Sequence, residues 1–110
     1  MSEKRYEKEV VYVDPDFMDL IPFFLESRHK EIVTIRECIA NADLKEAQRL
    51  GHGMKGAGGG YGFQEISSIG KSIEEAAKAG DTEEIEEALE RLAEYLSVVE
   101  VLPGKSEMLD

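Results

Sequence analysis

Apolar residues recur at helical spacing in four successive segments, and only a few residues separate one segment from the next. A chain patterned this way must lay its helices against one another, because each buries a single apolar stripe and the short connections hold neighbours side by side. The first segment runs from Asp16 to about Ala40, with Phe17, Leu20, Ile21, Phe24, Leu25, Ile32, Ile35 and Ile39 on period. Pro22 cannot donate a backbone hydrogen bond, so either a short extra helix over residues 16–20 ends near Leu20 or the long helix starts there. Asn41-Ala42-Asp43 reads as a turn whose aspartate caps a second helix beginning at Leu44. That helix is expected to reach at least Ala57, although glycines at 58, 59 and 60 would each cost it about 1 kcal/mol relative to alanine.

Tyr61-Gly62-Phe63 breaks the pattern, and Ile66, Ile69, Gly70, Ile73, Ala76 and Ala77 give a third apolar face ending at Gly80. Asp81 or Thr82 caps a fourth helix carrying Ile85, Leu89, Leu92, Leu96 and Val99, which is expected to run to about Val101. Ahead of all four, Val10 to Val13 is a short β-branched and aromatic run stopped by Asp14-Pro15, read as an extended arm because no second strand candidate pairs with it. The expected fold is therefore all-α, an antiparallel up-and-down four-helix bundle over residues 16–102. An extended N-terminal arm over 1–15 precedes it and a disordered tail over 103–110 follows.

A length of 110 residues suits one domain with one core. The apolar fraction of 42% is that of a folded protein, so the net charge of −11 marks an acidic globule and not a disordered chain. Such acidity argues against general nucleic-acid binding and against adhesion to anionic membranes, both of which need lysine and arginine. Cys38 is the only cysteine, which rules out an intramolecular disulfide and a cysteine-based metal cluster within one chain. The N-terminus lacks the apolar core of a signal peptide, and no run approaches the roughly 20 apolar residues of a membrane span. A cytoplasmic protein is expected, and a bundle with one apolar stripe per helix satisfies itself as a monomer.

Within the second helix, Gly51-His52-Gly53-Met54-Lys55-Gly56-Ala57-Gly58-Gly59-Gly60 places an imidazole and a cation among small residues. Helical spacing lines up His52, Lys55, Gly56 and Gly59 on a stripe roughly opposite Leu44, Ala47, Leu50 and Met54, so the histidine faces water. Glycines in a helix interior are costly and usually answer to packing or function. The surroundings also depart from the acidic background, with Lys45, Arg49 and Lys55 set against Asp43 and Glu46. An accessible imidazole beside a cation, with glycines where side chains would obstruct approach, suits chemistry shared between two proteins.

Other motifs carry less. Gly51-x-Gly53-x-x-Gly56 matches a dinucleotide fingerprint in letters only, since no strand precedes it. Gly70-Lys71-Ser72 ends like a phosphate loop, but Glu65 stands where its first glycine is required. No metal site is expected: His29 sits in a solvated charged face, and His52 has no second histidine or carboxylate at helical spacing.

His52-Gly-Met54-Lys55-Gly56-Ala57-Gly58, followed by a new helix after Gly62-Phe63, resembles the phosphoacceptor signature of histidine-containing phosphotransfer (Hpt) domains of two-component phosphorelays. The helix pattern from Asp16 to Val101 is similar throughout, and only the glycine-rich stretch 58–60 departs from the usual run. The resemblance implies that His52 accepts a phosphoryl group and exchanges it with a receiver-domain aspartate. Lys55 would hold the phosphoryl oxygens, and Gly56 and Gly59 would admit the partner. Gln48, one turn before His52, would hydrogen-bond the ring or the phosphoryl group. It further implies a phosphoryl carrier without kinase activity of its own. Its partners would be a response-regulator receiver domain and a sensor or hybrid histidine kinase, with Mg²⁺ bound by the receiver. Two rivals are an acidic helical interaction module that is never phosphorylated and the substrate domain of a chemotaxis-type histidine kinase.

Overall fold

The computed structural model describes residues 6–104; the remainder of the expected N-terminal arm and C-terminal tail, residues 1–5 and 105–110, lies outside the described residues. Four helices make up most of the molecule: α1 (Ile21–Ala40), α2 (Leu44–Tyr61), α3 (Gln64–Lys78) and α4 (Thr82–Val98). α1 packs on both α2 and α4, and α3 lies between α2 and α4, giving the expected four-helix, all-α architecture.

Local chemistry sets the helix ends. Pro22 occupies the first turn of α1, where its missing N–H loses nothing. A separate short 3-10 helix, Pro15–Leu20, precedes it and is capped by Asp14, which accepts from the Asp16 amide at 2.9 Å. Asp43 and Asp81 cap α2 and α4 by accepting from the amides of Glu46 and Glu84 at 3.2 and 3.1 Å. α2 continues through all three glycines 58–60 and stops at Gly62, whose φ of 88° is left-handed backbone that glycine adopts without strain.

The ends of the chain correct the sequence reading. Val10 to Val13 does have a partner: β1 (Glu9–Val13) pairs in parallel with β2 (Val99–Pro103), in register from Glu9 opposite Val99 to Val13 opposite Pro103. α4 accordingly ends at Val98 and not near Val101. Leu92, Leu96 and Val99 keep helical spacing, but Val99-Glu100-Val101 also alternates as a strand does, and the pairing that decides between them joins opposite ends of the sequence.

The core is formed by Ile35, Met54, Phe63, Ile66, Ile69, Ile73, Ile85, Leu89 and Leu92, all fully buried. Phe24 stacks on Phe63 with ring centroids 4.9 Å apart and joins α1 to the turn after α2. Phe17 and Leu20, on period in the sequence, remain exposed on the 3-10 helix.

The buried face of α2 is unusual. Leu44 and Leu50 are only half-buried, whereas Gly51 and Gly58 join Ala47 and Met54 inside. A Cβ on Gly51 would lie 2.7 Å from the Glu74 amide nitrogen, one on Gly58 2.6 Å from that of Ser67, and one on Gly70 2.5 Å from that of Lys55. Contacts that advance along α2 retreat along α3, so these two helices lie antiparallel with backbone against backbone. Ser67 adds a cross-link by donating its hydroxyl to the Lys55 carbonyl at 2.9 Å. By contrast Gly53, Gly56 and Gly60 would meet nothing within 4 Å.

Alanine at these positions should therefore act in opposite directions. Gly70→Ala forces apart two backbones and is expected to destabilise by about 1–3 kcal/mol, while Gly56→Ala removes a helix-interior glycine without a clash and is expected to stabilise by about 0.5–1 kcal/mol. Urea denaturation midpoints measure both, and a Gly70→Ala variant as stable as the parent would refute the close-approach account.

Candidate functional site

His52 projects from the middle of α2 on the face opposite the core, with 67% of its side chain exposed. Its Nδ1 lies 3.0 Å from Oε2 of Glu74 on α3, and the other oxygen of the same carboxylate, Oε1, lies 3.2 Å from the Lys55 ammonium. Glu74 is 13% exposed and bridges the two residues that the sequence placed on one stripe. This bridge follows from the glycine packing, because the Cβ position of Gly51 abuts the Glu74 backbone and brings the glutamate up beside the next residue, His52.

The electrostatics fix a proton. Lys55, and then His52, hold the Glu74 carboxyl below the ordinary carboxylate value of 4.5, against the opposing effect of burial. An ionised carboxylate only accepts hydrogen bonds, so the imidazole nitrogen facing it, Nδ1, carries the hydrogen. In the neutral ring the lone pair is then on the other nitrogen, Nε2, which points away from Glu74 on an accessible ring. This is the form of histidine that acts as a nucleophile near neutral pH.

An open groove of about 380 Å³ runs beside the ring, lined by Lys45, Gln48, Arg49, His52 and Glu74. Gln48 therefore lies next to His52 as its spacing predicts, while Nδ1 donates its hydrogen bond to Glu74. Toward the other end of the helix, Gly56 is open and Gly59 would meet only the Ser67 hydroxyl, at 3.7 Å. The structure thus brings His52, Lys55 and Gln48 together and leaves bare surface at Gly56 and Gly59. Among the described residues no three His, Cys, Asp or Glu side chains are grouped to hold a metal ion, and no helix is long and apolar enough to cross a membrane.

Glu74 is the residue that sequence reasoning missed. It falls in the acidic pair Glu74-Glu75 and reads as solvated surface. The available signal was Gly70, which lies one turn earlier on the same face of α3 and marks that face as the one pressed against α2.

Because the folded protein depresses the Glu74 pKa, the stabilisation from this cluster is present above the ordinary value of 4.5 and is lost as pH falls through the lower folded value. Glu74→Gln cannot ionise and lacks that component. Its deficit in urea midpoint relative to the parent is expected at about pH 7 and should close toward about pH 3; a deficit that stays constant across the range would contradict the ionised bridge.

Comparison with protein-family models matches residues 19–101 to the Hpt domain. Comparisons with curated proteins and with solved structures found no match.

Proposed function

This chain belongs to the Hpt domain family, whose members serve histidine phosphotransfer in phosphorelays, and from that premise we propose that His52 is its phosphoacceptor and Nε2 the reacting atom. The observation that carries the reading is the 3.0 Å contact of Nδ1 with the Glu74 carboxylate, which favours a hydrogen on Nδ1 and leaves Nε2 as the free nitrogen of an exposed ring. Hpt domains interact in general with receiver domains and kinases. The donor or acceptor proposed for this chain is the aspartyl phosphate of a receiver domain, with a sensor or hybrid histidine kinase upstream.

In the charging direction the Nε2 lone pair attacks phosphorus in line with the acyl phosphate bond. A P–N bond forms, the P–O bond to the aspartate breaks, and the carboxylate leaves with the electron pair. No proton has to move, because the ring becomes a phosphorylated imidazolium that still carries its Nδ1 hydrogen. Glu74, already aimed at that hydrogen, stabilises the developing positive charge. The discharging direction reverses each step and returns the same neutral tautomer.

Phosphoryl transfer depends on positioning and charge stabilisation more than on covalent catalysis by the protein. Lys55 is one turn from His52, and its ammonium is held by a single ion pair to Glu74, within reach of a phosphoryl group on the neighbouring ring. Its role is to exchange that partner for the incoming phosphoryl oxygens. Mg²⁺ is assigned to the receiver's carboxylates. Gly56 and Gly59 supply room for the partner's backbone, since both leave the helix surface bare on the side of His52 toward the C-terminus of α2.

Intact-mass analysis after incubation with a phosphorylated receiver domain and Mg²⁺ tests the assignment. One acid-labile, alkali-stable phosphoryl adduct is expected on the parent and none on His52→Gln, with circular dichroism unchanged; an adduct that persists on the variant places the acceptor elsewhere. Lys55→Ala is expected to keep the fold and to slow transfer by roughly one to two orders of magnitude, measured by rapid-quench kinetics. Unchanged kinetics would assign Lys55 to surface charge alone.

A further inference from the structure

The sequence sets three cations around His52, but the structure leaves them unequal. The Lys55 ammonium is held by Glu74 at 3.2 Å. Arg49 is closed by Glu46 through two hydrogen bonds, from Nε at 2.8 Å and from Nη2 at 2.5 Å. The Asp43 carboxylate is used as the cap of α2, on the Glu46 amide. Lys45 is exposed and, among the described residues, forms no ion pair. It lines the same groove as the imidazole.

Two further observations single it out. Lys45 is the second residue of α2, where the helix dipole is positive and disfavours a cation. A lysine kept there works against the local stability of the helix, in a chain of net charge −11 that places acids in the first turn of α4, at Glu83 and Glu84. Its Cα also lies about 10 Å along the helix axis from that of His52, and helical side chains lean toward the N-terminus. The lysine therefore leans away from the imidazole and is poorly placed to hold the transferring phosphoryl group.

Resting on the phosphotransfer reading above, we infer that Lys45 is a specificity-determining residue that engages an acidic group on the rim of the receiver domain's phosphorylation site. The partner chemistry follows from the reaction, because a pocket that binds Mg²⁺ beside a phosphorylated aspartate must itself be rich in carboxylates. One face of α2 then divides at His52. The N-terminal half offers an unpaired cation to the acidic rim, and the C-terminal half offers the open glycines 53, 56 and 60 to the partner's backbone. That division orients the partner along the helix, and charge complementarity of this kind acts mainly on encounter and on rejection of wrong partners.

The test separates docking from chemistry. The parent, Lys45→Glu and a charge-matched control, Lys30→Glu on α1, are phosphorylated with phosphoramidate, a small donor that needs no docking surface. Each is then discharged onto the Mg²⁺-loaded receiver domain that, within a panel, discharges the parent fastest. All three are expected to take the same label. Lys45→Glu is expected to transfer roughly tenfold more slowly than Lys30→Glu at low salt, with the difference shrinking as ionic strength rises. Thermal unfolding is expected to show Lys45→Glu at least as stable as the parent, since an acid suits the first turn of α2. Equal transfer by the two variants, or a difference insensitive to salt, overturns the role of Lys45 and leaves phosphotransfer standing. A parent that takes no label from phosphoramidate overturns the phosphotransfer reading and this inference with it.

Discussion

The close approach of α2 and α3 is the constraint on which the rest of the molecule depends. At Gly51, Gly58 and Gly70 the two helices meet largely backbone to backbone, with the Ile73 methyl also at Gly51, at distances that any Cβ would violate. Interiors packed to the density of crystals do not yield cheaply to such an intrusion. The arrangement also explains why a run of glycines survives inside a helix: the propensity lost at each is offset by packing at Gly51 and Gly58, and α2 is held helical to Tyr61 by the helix laid against it.

From that contact the site follows. Pressing Gly51 against the backbone at Glu74 puts one carboxylate within hydrogen-bond reach of His52 and ion-pair reach of Lys55. The imidazole remains exposed while its inner nitrogen is tied down, so accessibility and a fixed tautomer coexist on one ring. Gly53, Gly56 and Gly60 of the same helix do the opposite work, leaving its outer face low and open. A single glycine-rich segment thus serves two purposes, separated by which side of the helix each residue faces.

Legibility in the sequence varied with the range of the interaction that decides each feature. The helices, the Asp43 cap and the outward direction of His52 depend on residues within a turn or two and could be read from spacing, while the cap of α4 was narrowed to Asp81 or Thr82 and is Asp81. Gly62 likewise marked the end of α2 through its left-handed conformation, although the preceding glycines argued for an earlier stop. The pairing of Val10 to Val13 with Val99 to Pro103 could not be read, because a parallel two-stranded pairing of distant segments leaves no local signature. Glu74 was hidden for the same reason: nothing in a neighbouring window distinguishes it from Glu75.

By itself the sequence determined that the chain forms four amphipathic helices with short connections, and that an accessible histidine stands one turn from a lysine amid glycines. Periodicity and helix geometry suffice for both. Only the tertiary structure decided which glycines are packing surface and which are open, which carboxylate accepts from the imidazole, and which of Lys45, Arg49 and Lys55 is left without an ion pair among the described residues. Those outcomes depend on how one helix is set against another at ångström range. Charges and clashes at that range are settled by pairings between elements and not by the order of residues within one.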